Sequence, residues 1–248
     1  IAPASAPAST GAMQFSLASP SSATAAPFCI GYAFRKGDVP AGKSVIGSIA
    51  SLQVTPKNYW PDGSLKFAVV AGRAALSAGN SSTVNLSIGT PSAGTSLTTT
   101  DLKATGAIAS TGCGSFGTAT WAATDWDTPF QNWISGPEMS SWIYRKPVGS
   151  DRHLVAWLEV RLFKGGAVEV LPWIENGYLM VAGPTNKNAT YTFSLGGTQR
   201  FSQLIDLPNH CRTPLVSGAV LSHWLSVDPA VTPKHDTDYL QATRLVPS

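Results

Sequence analysis

Apolar and polar residues alternate with a period of two along several short stretches of this chain. In the clearest case Leu65, Phe67 and Val69 alternate with smaller or polar residues, a pattern typical of a strand with one buried face. The preceding Pro61-Asp62-Gly63 predicts a tight turn, because proline presets φ and glycine accepts a positive φ. Since Ile49 to Val54 is also strand-like, the region is predicted to be strand, turn and strand.

A second hairpin is predicted farther along the chain. Leu154–Lys164 and Ala167–Asn176 are long strand-like runs, and Gly165-Gly166 between them is a hairpin turn signal. No stretch shows a convincing helical period. Further predicted strands, which alternate or are rich in β-branched and aromatic residues, are Met13–Leu17, Phe28–Phe34, Val45–Val54, Thr83–Ile88, Leu97–Ala104, Trp142–Val148, Tyr191–Leu195, Gln199–Leu204 and Val216–Val227.

These patterns predict an all-β protein, built as an antiparallel β-barrel or sandwich. The Gly/Ser-rich segment from Ala109 to Gly117 is the expected boundary between a barrel-like sub-domain (12–108) and a second β sub-domain (118–227). Residues 1–11 are rich in Ala, Pro and Ser and predict an extended arm. The proline-rich, charged residues 228–248 predict a tail or linker. The 248 residues could equally form one large β domain.

The composition narrows the class of protein. Charged residues make up 12% of the chain, well below the usual ~25%, which suits an extracellular protein or one packed in a virion. The net charge is only +3 and no run of Lys or Arg occurs, so nucleic acid is not an expected partner. No apolar run approaches the ~20 residues of a membrane helix, so no membrane span is predicted.

The three cysteines do not suggest a metal site. Cys29, Cys113 and Cys211 lie too far apart for a Cys-x-x-Cys motif. They allow one disulfide with one free thiol, or three buried thiols.

A cluster of tryptophans is the strongest candidate for a binding site. Aromatic rings stack on the apolar faces of sugars and anchor protein interfaces, and neighbouring carboxylates accept hydrogen bonds from sugar hydroxyls. The window from Thr120 to Trp142 combines both features. The predicted ligand- or partner-binding residues are Trp121, Trp126, Trp133, Trp142, Asp125 and Asp127.

Catalytic chemistry has less support. The chain lacks a Gly-x-Ser-x-Gly elbow, a phosphate loop and a His-Glu-x-x-His motif, so no catalytic residue, metal or cofactor is predicted. Tyr144 and Arg145, with Arg152-His153 at the next turn, could supply the base and cation of a polysaccharide lyase. The alternative is a strand tyrosine beside solvated turn charges.

Three glutamates flank the predicted hairpin. A facing pair among Glu159, Glu169 and Glu175 could hydrolyse a glycosidic bond. Arg161 shares a strand face with Glu159, however, and Glu169 lies across from them. Cross-strand ion pairing is therefore the favoured interpretation.

Two short motifs resemble a known family. Phe34-Arg35-Lys36-Gly37-Asp38-Val39-Pro40-Ala41-Gly42 and Trp60-Pro61-Asp62-Gly63-Ser64-Leu65-Lys66-Phe67 are similar to the N-terminal RIFT-related β-barrel domain of exo-rhamnogalacturonan-lyase-like proteins. In that family the domain precedes an (α/α) toroid and a β-sandwich. This chain has no toroid, so the resemblance implies a fold and a carbohydrate-related setting. It implies neither lyase activity nor any catalytic residue here.

Three functional hypotheses follow. The first is a non-catalytic β-domain for assembly or recognition within a larger protein or particle, such as a phage tail or fibre or a cell-surface component. The second is a carbohydrate-binding or accessory domain of a polysaccharide lyase, and the third is a small polysaccharide-degrading enzyme. The expected partners are other protein chains, copies of this chain among them, or glycans. The expected location is extracellular or virion-associated.

Overall fold

Strands dominate the computed structural model, which describes residues 11–91, 93–178 and 180–246. They make up 52% of it and helices 9%, so the all-β class predicted from the sequence is confirmed. Every strand pair in these ranges is antiparallel. No sheet of the described chain closes into a barrel, and a sandwich-like arrangement fits. The predicted arm lies outside the described residues except for Gly11.

The strands are joined by tight turns, longer loops and two short helices. In chain order they are β1 Gln14–Ala18, β2 Ala23–Ala33, β3 Val45–Gly47, β4 Leu52–Tyr59, β5 Leu65–Leu76, β6 Ser81–Ile88, β7 Ala109–Cys113, β8 Thr118–Trp121, β9 Gln131–Ile134, β10 Met139–Val148, β11 Asp151–Phe163, β12 Val168–Asn176, β13 Lys187–Leu195, β14 Thr198–Leu207, β15 Cys211–Pro214, β16 His223–Trp224 and β17 Thr232–His235. The helices are α1 Thr99–Ala104 and α2 Thr237–Ala242, with 3₁₀ turns at Gly114–Phe116 and Ala123–Asp127.

The chain divides into two compact units, one inserted in the sequence of the other. The discontinuous unit contains the residues up to Thr95 and those from Pro229 onwards. The inserted unit is Ser96–Asp228.

The discontinuous unit buries one face of each of its two sheets. Their strand orders are β17-β1-β6-β3 and β2-β5-β4. Phe15 of β1 and Val84 of β6 meet Phe28 and Tyr32 of β2 in a single core, where the rings of Phe15 and Phe28 lie 5.7 Å apart. Val84 and Leu86 of β6 are buried between exposed neighbours, so the predicted period of two is observed there, whereas Ile88 at the end of the strand is 47% exposed.

Residues 229–246 complete the discontinuous unit. The sequence predicts a tail or linker here, but β17 pairs with β1, with His235 opposite Phe15. Tyr239 of α2 is only 2% exposed and stacks on Tyr32 at 6.0 Å. Proline and charge content misled the prediction, because an edge strand tolerates proline and Asp236 caps α2 by accepting a hydrogen bond from Tyr239 N–H.

The Trp60–Ser64 turn forms as predicted, joining β4 to β5. Gly63 has φ +81°, and Trp60 and Ser64 close the turn through a 2.8 Å backbone hydrogen bond. The Asp62 carboxylate accepts hydrogen bonds from the N–H and hydroxyl of Ser64, which lowers the pKa of Asp62. The Trp60 indole donates to the Phe34 carbonyl and so fixes the turn to β2.

The inserted unit is also built from two sheets around one core. One sheet has the order β15-β12-β11-β10-β9, with β16 also paired to β12, and the other has the order β14-β13-β7-β8. The predicted hairpin is confirmed: β11 and β12 pair throughout, and Gly165 and Gly166 take positive φ values of 97° and 88°. Buried residues alternate strictly along β12.

Several segments of the inserted unit differ from the sequence prediction. Val216–Val227, predicted as a strand, contains only the two-residue β16. Leu97–Ala104 contains α1 rather than a strand, because Thr98 and Asp101 form a capping box at its start. Ala109–Gly117 is not simply a loop at a boundary, since β7 pairs with both β13 and β8. Its glycines and serines occupy a strand whose alternate residues are buried.

The cysteines lie in different environments. Cys113 is buried and Cys211 is exposed, and both carry free thiols. Burial raises the pKa of the Cys113 thiol to about 12, so it is a core residue rather than a nucleophile. Cys29 lies half-buried in β2, and no disulfide joins any two of the three cysteines, all of which lie in the described ranges. Neither the alternative of one disulfide nor that of three buried thiols therefore holds.

Candidate functional site

The strongest candidate site lies on the second face of the six-stranded sheet in the inserted unit. Residues of β10, β11 and β12 that point away from the core align across the strands. Arg145 lies opposite Trp157, and Trp157 lies opposite Trp173. Cross-strand neighbours on one face approach within about 5 Å, so the sheet itself holds these three side chains in a row.

The row forms an aromatic surface. The rings of Trp157 and Trp173 stack nearly parallel, with centroids 5.9 Å apart and planes 6° from each other. Phe130 packs edge-on against Trp157 at 5.5 Å. The Arg145 guanidinium lies 3.9 Å from the Phe130 ring centroid and 5.4 Å from that of Trp157. We call these four residues the aromatic shelf.

A cavity of about 300 Å³ opens beside the aromatic shelf. Its lining combines apolar surface with one cation, one carboxylate and a phenol. Ligand sites are commonly concave and apolar with a few fixed polar groups. The lining residues are Arg145, Pro147, Val155, Trp157, Glu175, Gly177 and Tyr178.

The charged groups of the cavity are available for a ligand. Arg145 is exposed, and no carboxylate in the described ranges pairs with its guanidinium. Stacking on two aromatic rings holds the guanidinium in place without using its N–H donors. Glu175 is half-buried on β12 and Tyr178 is 46% exposed. The cavity therefore offers a donor and an acceptor around an indole.

Three of the four tryptophans predicted to bind a ligand are core residues. Trp121, Trp126 and Trp142 are 1%, 0% and 4% exposed, so their faces cannot meet a ligand at the surface. The Trp126 indole donates to the Ala107 carbonyl at 2.9 Å. Only Trp133, at 39% exposed, presents a substantial surface.

The two predicted aspartates serve the local structure. Asp125 caps the 3₁₀ turn by accepting a hydrogen bond from Ala122 N–H and also pairs with Lys146. The hydrogen bond from Lys146, with that from Ala122, lowers the pKa of Asp125. Asp127 pairs with Lys103 of α1 at 2.6 Å. Both carboxylates are therefore neutralised by lysines.

The lyase arrangement is not assembled. Tyr144 points into the core, is 1% exposed, and donates its hydroxyl proton to the Trp126 carbonyl at 2.8 Å. Burial raises its pKa, which opposes a role as base. Arg145 lies on the opposite face of β10, because successive side chains of a strand alternate. His153 is buried at 4%.

The predicted cross-strand ion pairs are confirmed. Arg161 contacts Glu159 at 2.7 Å and Glu169 at 3.1 Å. Ser141 donates to Glu159, and Ser222 donates to Glu169. Glu159 and Glu169, two of the three glutamates considered for hydrolysis, are therefore bound in a structural network, whereas Glu175 lines the cavity.

No group of three or more His, Cys, Asp or Glu residues is placed to hold a metal ion in the described part of the chain. None of the helices there has the length and apolar character needed to traverse a bilayer.

The aromatic shelf was missed at the sequence level because its members are far apart in the chain. Phe130 precedes β10, whereas Trp157 and Trp173 lie on separate strands of the hairpin. The Gly165-Gly166 turn contained the signal, since it fixes the register that places Trp157 opposite Trp173.

No family model matches this chain, and none of the curated proteins is similar to it. The resemblance to a RIFT-related barrel stays a prediction.

Proposed function

We propose that this chain is a non-catalytic recognition domain that binds a glycan at the aromatic shelf. The observation that carries the proposal is the Trp157–Trp173 stack beside a cavity lined by Arg145 and Glu175. Sugar rings present C–H groups on their faces and hydroxyls at their edges. The indole of Trp157 can contact the C–H groups, and Arg145 and Glu175 can form hydrogen bonds with the hydroxyls.

Recognition has more support than catalysis. Glycoside hydrolysis requires two carboxyl groups facing one another across the scissile bond. The cavity contains a single glutamate, Glu175, and the other two glutamates of the hairpin are paired with Arg161. Tyr144, the lyase candidate, is buried on the other face of the sheet.

A preformed site suits recognition. Trp157 is held by Trp173 and Phe130, and Arg145 is held by the rings beneath it. Side chains already fixed in the free protein lose little conformational entropy when a ligand binds. A ligand can therefore bind at the aromatic shelf without rearranging these side chains.

A glycan array followed by calorimetry with the best-binding glycan tests the proposal. Trp157→Ala is expected to weaken binding by about tenfold or more, which corresponds to ~1.4 kcal/mol. Arg145→Met should also weaken binding while keeping the side-chain volume over Phe130. Trp133→Ala is the matched control, because Trp133 is exposed but lies outside the cavity lining.

The proposal fails if no glycan binds the wild-type chain, or if Trp157→Ala binds as the wild type does. If only the Trp133→Ala variant lost binding, the glycan would instead bind at Trp133, within the tryptophan-rich segment predicted from the sequence. The thermal unfolding of each variant shows whether the inserted unit remains folded.

A further inference from the structure

Strand β14 forms an exposed edge of the second sheet in the inserted unit. Its ten residues, Thr198–Leu207, pair with β13 on one side, and β14 ends the sheet order. No strand in the described part of the chain pairs with its other side. Seven of its ten residues are exposed, among them Leu204 at 68%.

The edge lacks the features that usually prevent strands from associating. Exposed edges commonly carry lysines, prolines or charges that point inward. Between Arg200 and Asp206, β14 reads Phe201-Ser202-Gln203-Leu204-Ile205, with no charge and no proline. Phe201 is buried in the core, so the strand is anchored and its outer backbone groups are held in an extended line.

The charges at the two ends of this segment are complementary to each other. In an antiparallel pair of two β14 strands centred on Gln203, Arg200 of each copy lies opposite Asp206 of the other. The same register places Gln203 opposite itself and brings the two Leu204 side chains into diagonal contact. A single two-fold axis therefore pairs each Arg200 with an Asp206 of the other copy and buries the exposed Leu204 side chains against each other.

We propose that β14 pairs with β14 of a second copy of this chain, forming a two-fold symmetric dimer with a continuous eight-stranded sheet. Within the described part of the chain, no ion pair neutralises Arg200 or Asp206. Asp206 accepts a hydrogen bond from the neutral amide of Asn186, and Arg200 donates weakly to the Leu225 carbonyl at 3.4 Å. The partner strand supplies the opposite charge in each case.

The dimer goes beyond glycan recognition and uses residues outside the aromatic shelf. Two copies would carry two shelves, so a glycan with repeated units could be bound at both sites, with a gain in avidity. Dimerisation is measurable without any glycan, so its failure and that of the proposed function are distinguishable.

Sedimentation velocity over a concentration series tests the pairing. The wild-type chain should show a concentration-dependent dimer, and Leu204→Lys should shift it to monomer. Leu221→Lys is the matched control, because Leu221 is 82% exposed and lies outside β14. A wild-type monomer at all concentrations overturns the proposal, and so does a dimer that both lysine variants leave intact.

A charge exchange tests the register. Arg200→Glu places like charges opposite each other twice per dimer and should raise the dissociation constant about tenfold or more. Adding Asp206→Arg restores opposite charges and should recover the dimer. If the double variant is no tighter than the single one, the proposed register is wrong.

Cross-linking tests the two-fold centre. In a Cys211→Ser background, Gln203→Cys should form a disulfide-linked dimer under mild oxidation, because residues opposite each other in antiparallel strands have Cα atoms about 5 Å apart. Thr198→Cys, at the end of the strand, is the control. Equal cross-linking of both variants would indicate random collision. An extended peptide as the natural occupant of β14 would appear as a monomer that binds such peptides, which also overturns the dimer.

Discussion

The hydroxyl of Tyr239 donates a 2.8 Å hydrogen bond to the carboxylate of Asp38, joining two residues 201 positions apart in the chain. The same oxygen accepts a hydrogen bond from Arg35 N–H. The Arg35 guanidinium pairs with Asp38 and lies 5.3 Å from the centroid of the Tyr239 ring. This small network fastens α2 to the loop that follows β2.

Tyr239→Phe is expected to destabilise the discontinuous unit by about 1–3 kcal/mol, because the half-buried Asp38 and the Arg35 N–H lose a partner. Hydrogen exchange of peptides from β1 and β2 measures the effect in that unit specifically. Tyr59→Phe is the control, since Tyr59 belongs to the same unit but is 55% exposed. Equal protection in both variants would contradict the role of the hydroxyl.

The inserted unit is expected to fold on its own. Its core cluster is drawn entirely from residues within Ser96–Asp228. A fragment of residues 96–228 should therefore unfold cooperatively in urea, with its tryptophan fluorescence shifting to longer wavelength. A fragment that shows no cooperative transition would disprove the independence of this unit.

The discontinuous unit should not survive without its last segment. A chain ending at Asp228 loses β17 and Tyr239, which leaves β1 as an edge and exposes the Tyr32 ring. Amides of β1 are expected to lose protection from hydrogen exchange while amides of β11 and β12 keep it. Retained protection in β1 would show that residues 229–246 are dispensable.

Arg161 is expected to stabilise the inserted unit by pairing with the carboxylates of Glu159 and Glu169. Replacing Arg161 with Met leaves Glu159 and Glu169 as unpaired, largely buried carboxylates, which should cost about 3 kcal/mol of unfolding free energy. Adding Glu159→Gln and Glu169→Gln removes both charges and should restore most of the loss. Urea denaturation compares the two variants, and equal stability of both would rule out an electrostatic cause.

His235 should make the discontinuous unit sensitive to mild acid. Burial lowers the pKa of this imidazole, which lies 5.5 Å from the Tyr32 ring, below its usual 6.5. An imidazole whose pKa is lower in the folded state than in the unfolded state stabilises the fold at a pH above its unfolded-state pKa. This stabilisation is lost as the pH falls from 6.5 towards the lowered folded-state pKa. The pKa values of the Asp62 and Asp236 carboxyls are lowered from an ordinary value that is already below 4. These two groups therefore affect stability only at a more acidic pH.

Hydrogen exchange of β1 and β17 at pH 7.5 and 5.5, corrected for the intrinsic rates, measures this sensitivity. The amides should open more readily at pH 5.5 in the wild type, and His235→Phe should reduce the difference. His210→Gln serves as the control, because His210 is exposed in the inserted unit. An unchanged pH response in His235→Phe would exclude His235 as the cause.

The sequence predicted those parts of the fold that local chemistry determines. The Trp60–Ser64 turn and the Gly165-Gly166 hairpin are set by residues adjacent in the chain, and both form as expected. The prediction of a strand at Leu97–Ala104 was wrong. The β-forming threonines suggested a strand, but the capping box of Thr98 and Asp101 starts a helix there. The pairing of β17 with β1 depends on packing across 220 residues, which no local pattern records.

The candidate site was harder to predict from the sequence than the fold. The closeness of the tryptophans in the chain predicts a shared binding site, yet Trp121 and Trp126 face the core. Trp157 and Trp173 are separated by a turn and become neighbours only through strand register. Whether an aromatic residue is buried depends on the face of the strand, and a shift of one residue reverses it.

The insertion of one unit within the sequence of the other also determines the order of events during synthesis. Strand β1 leaves the ribosome before the inserted unit, but its neighbour β17 is made only after the whole of that unit. At typical elongation rates the interval is on the order of 10 s, far longer than a small domain needs to fold. Throughout this interval β1 lacks one of its two neighbours, so its free edge is open to pairing with other chains while the inserted unit is being synthesised.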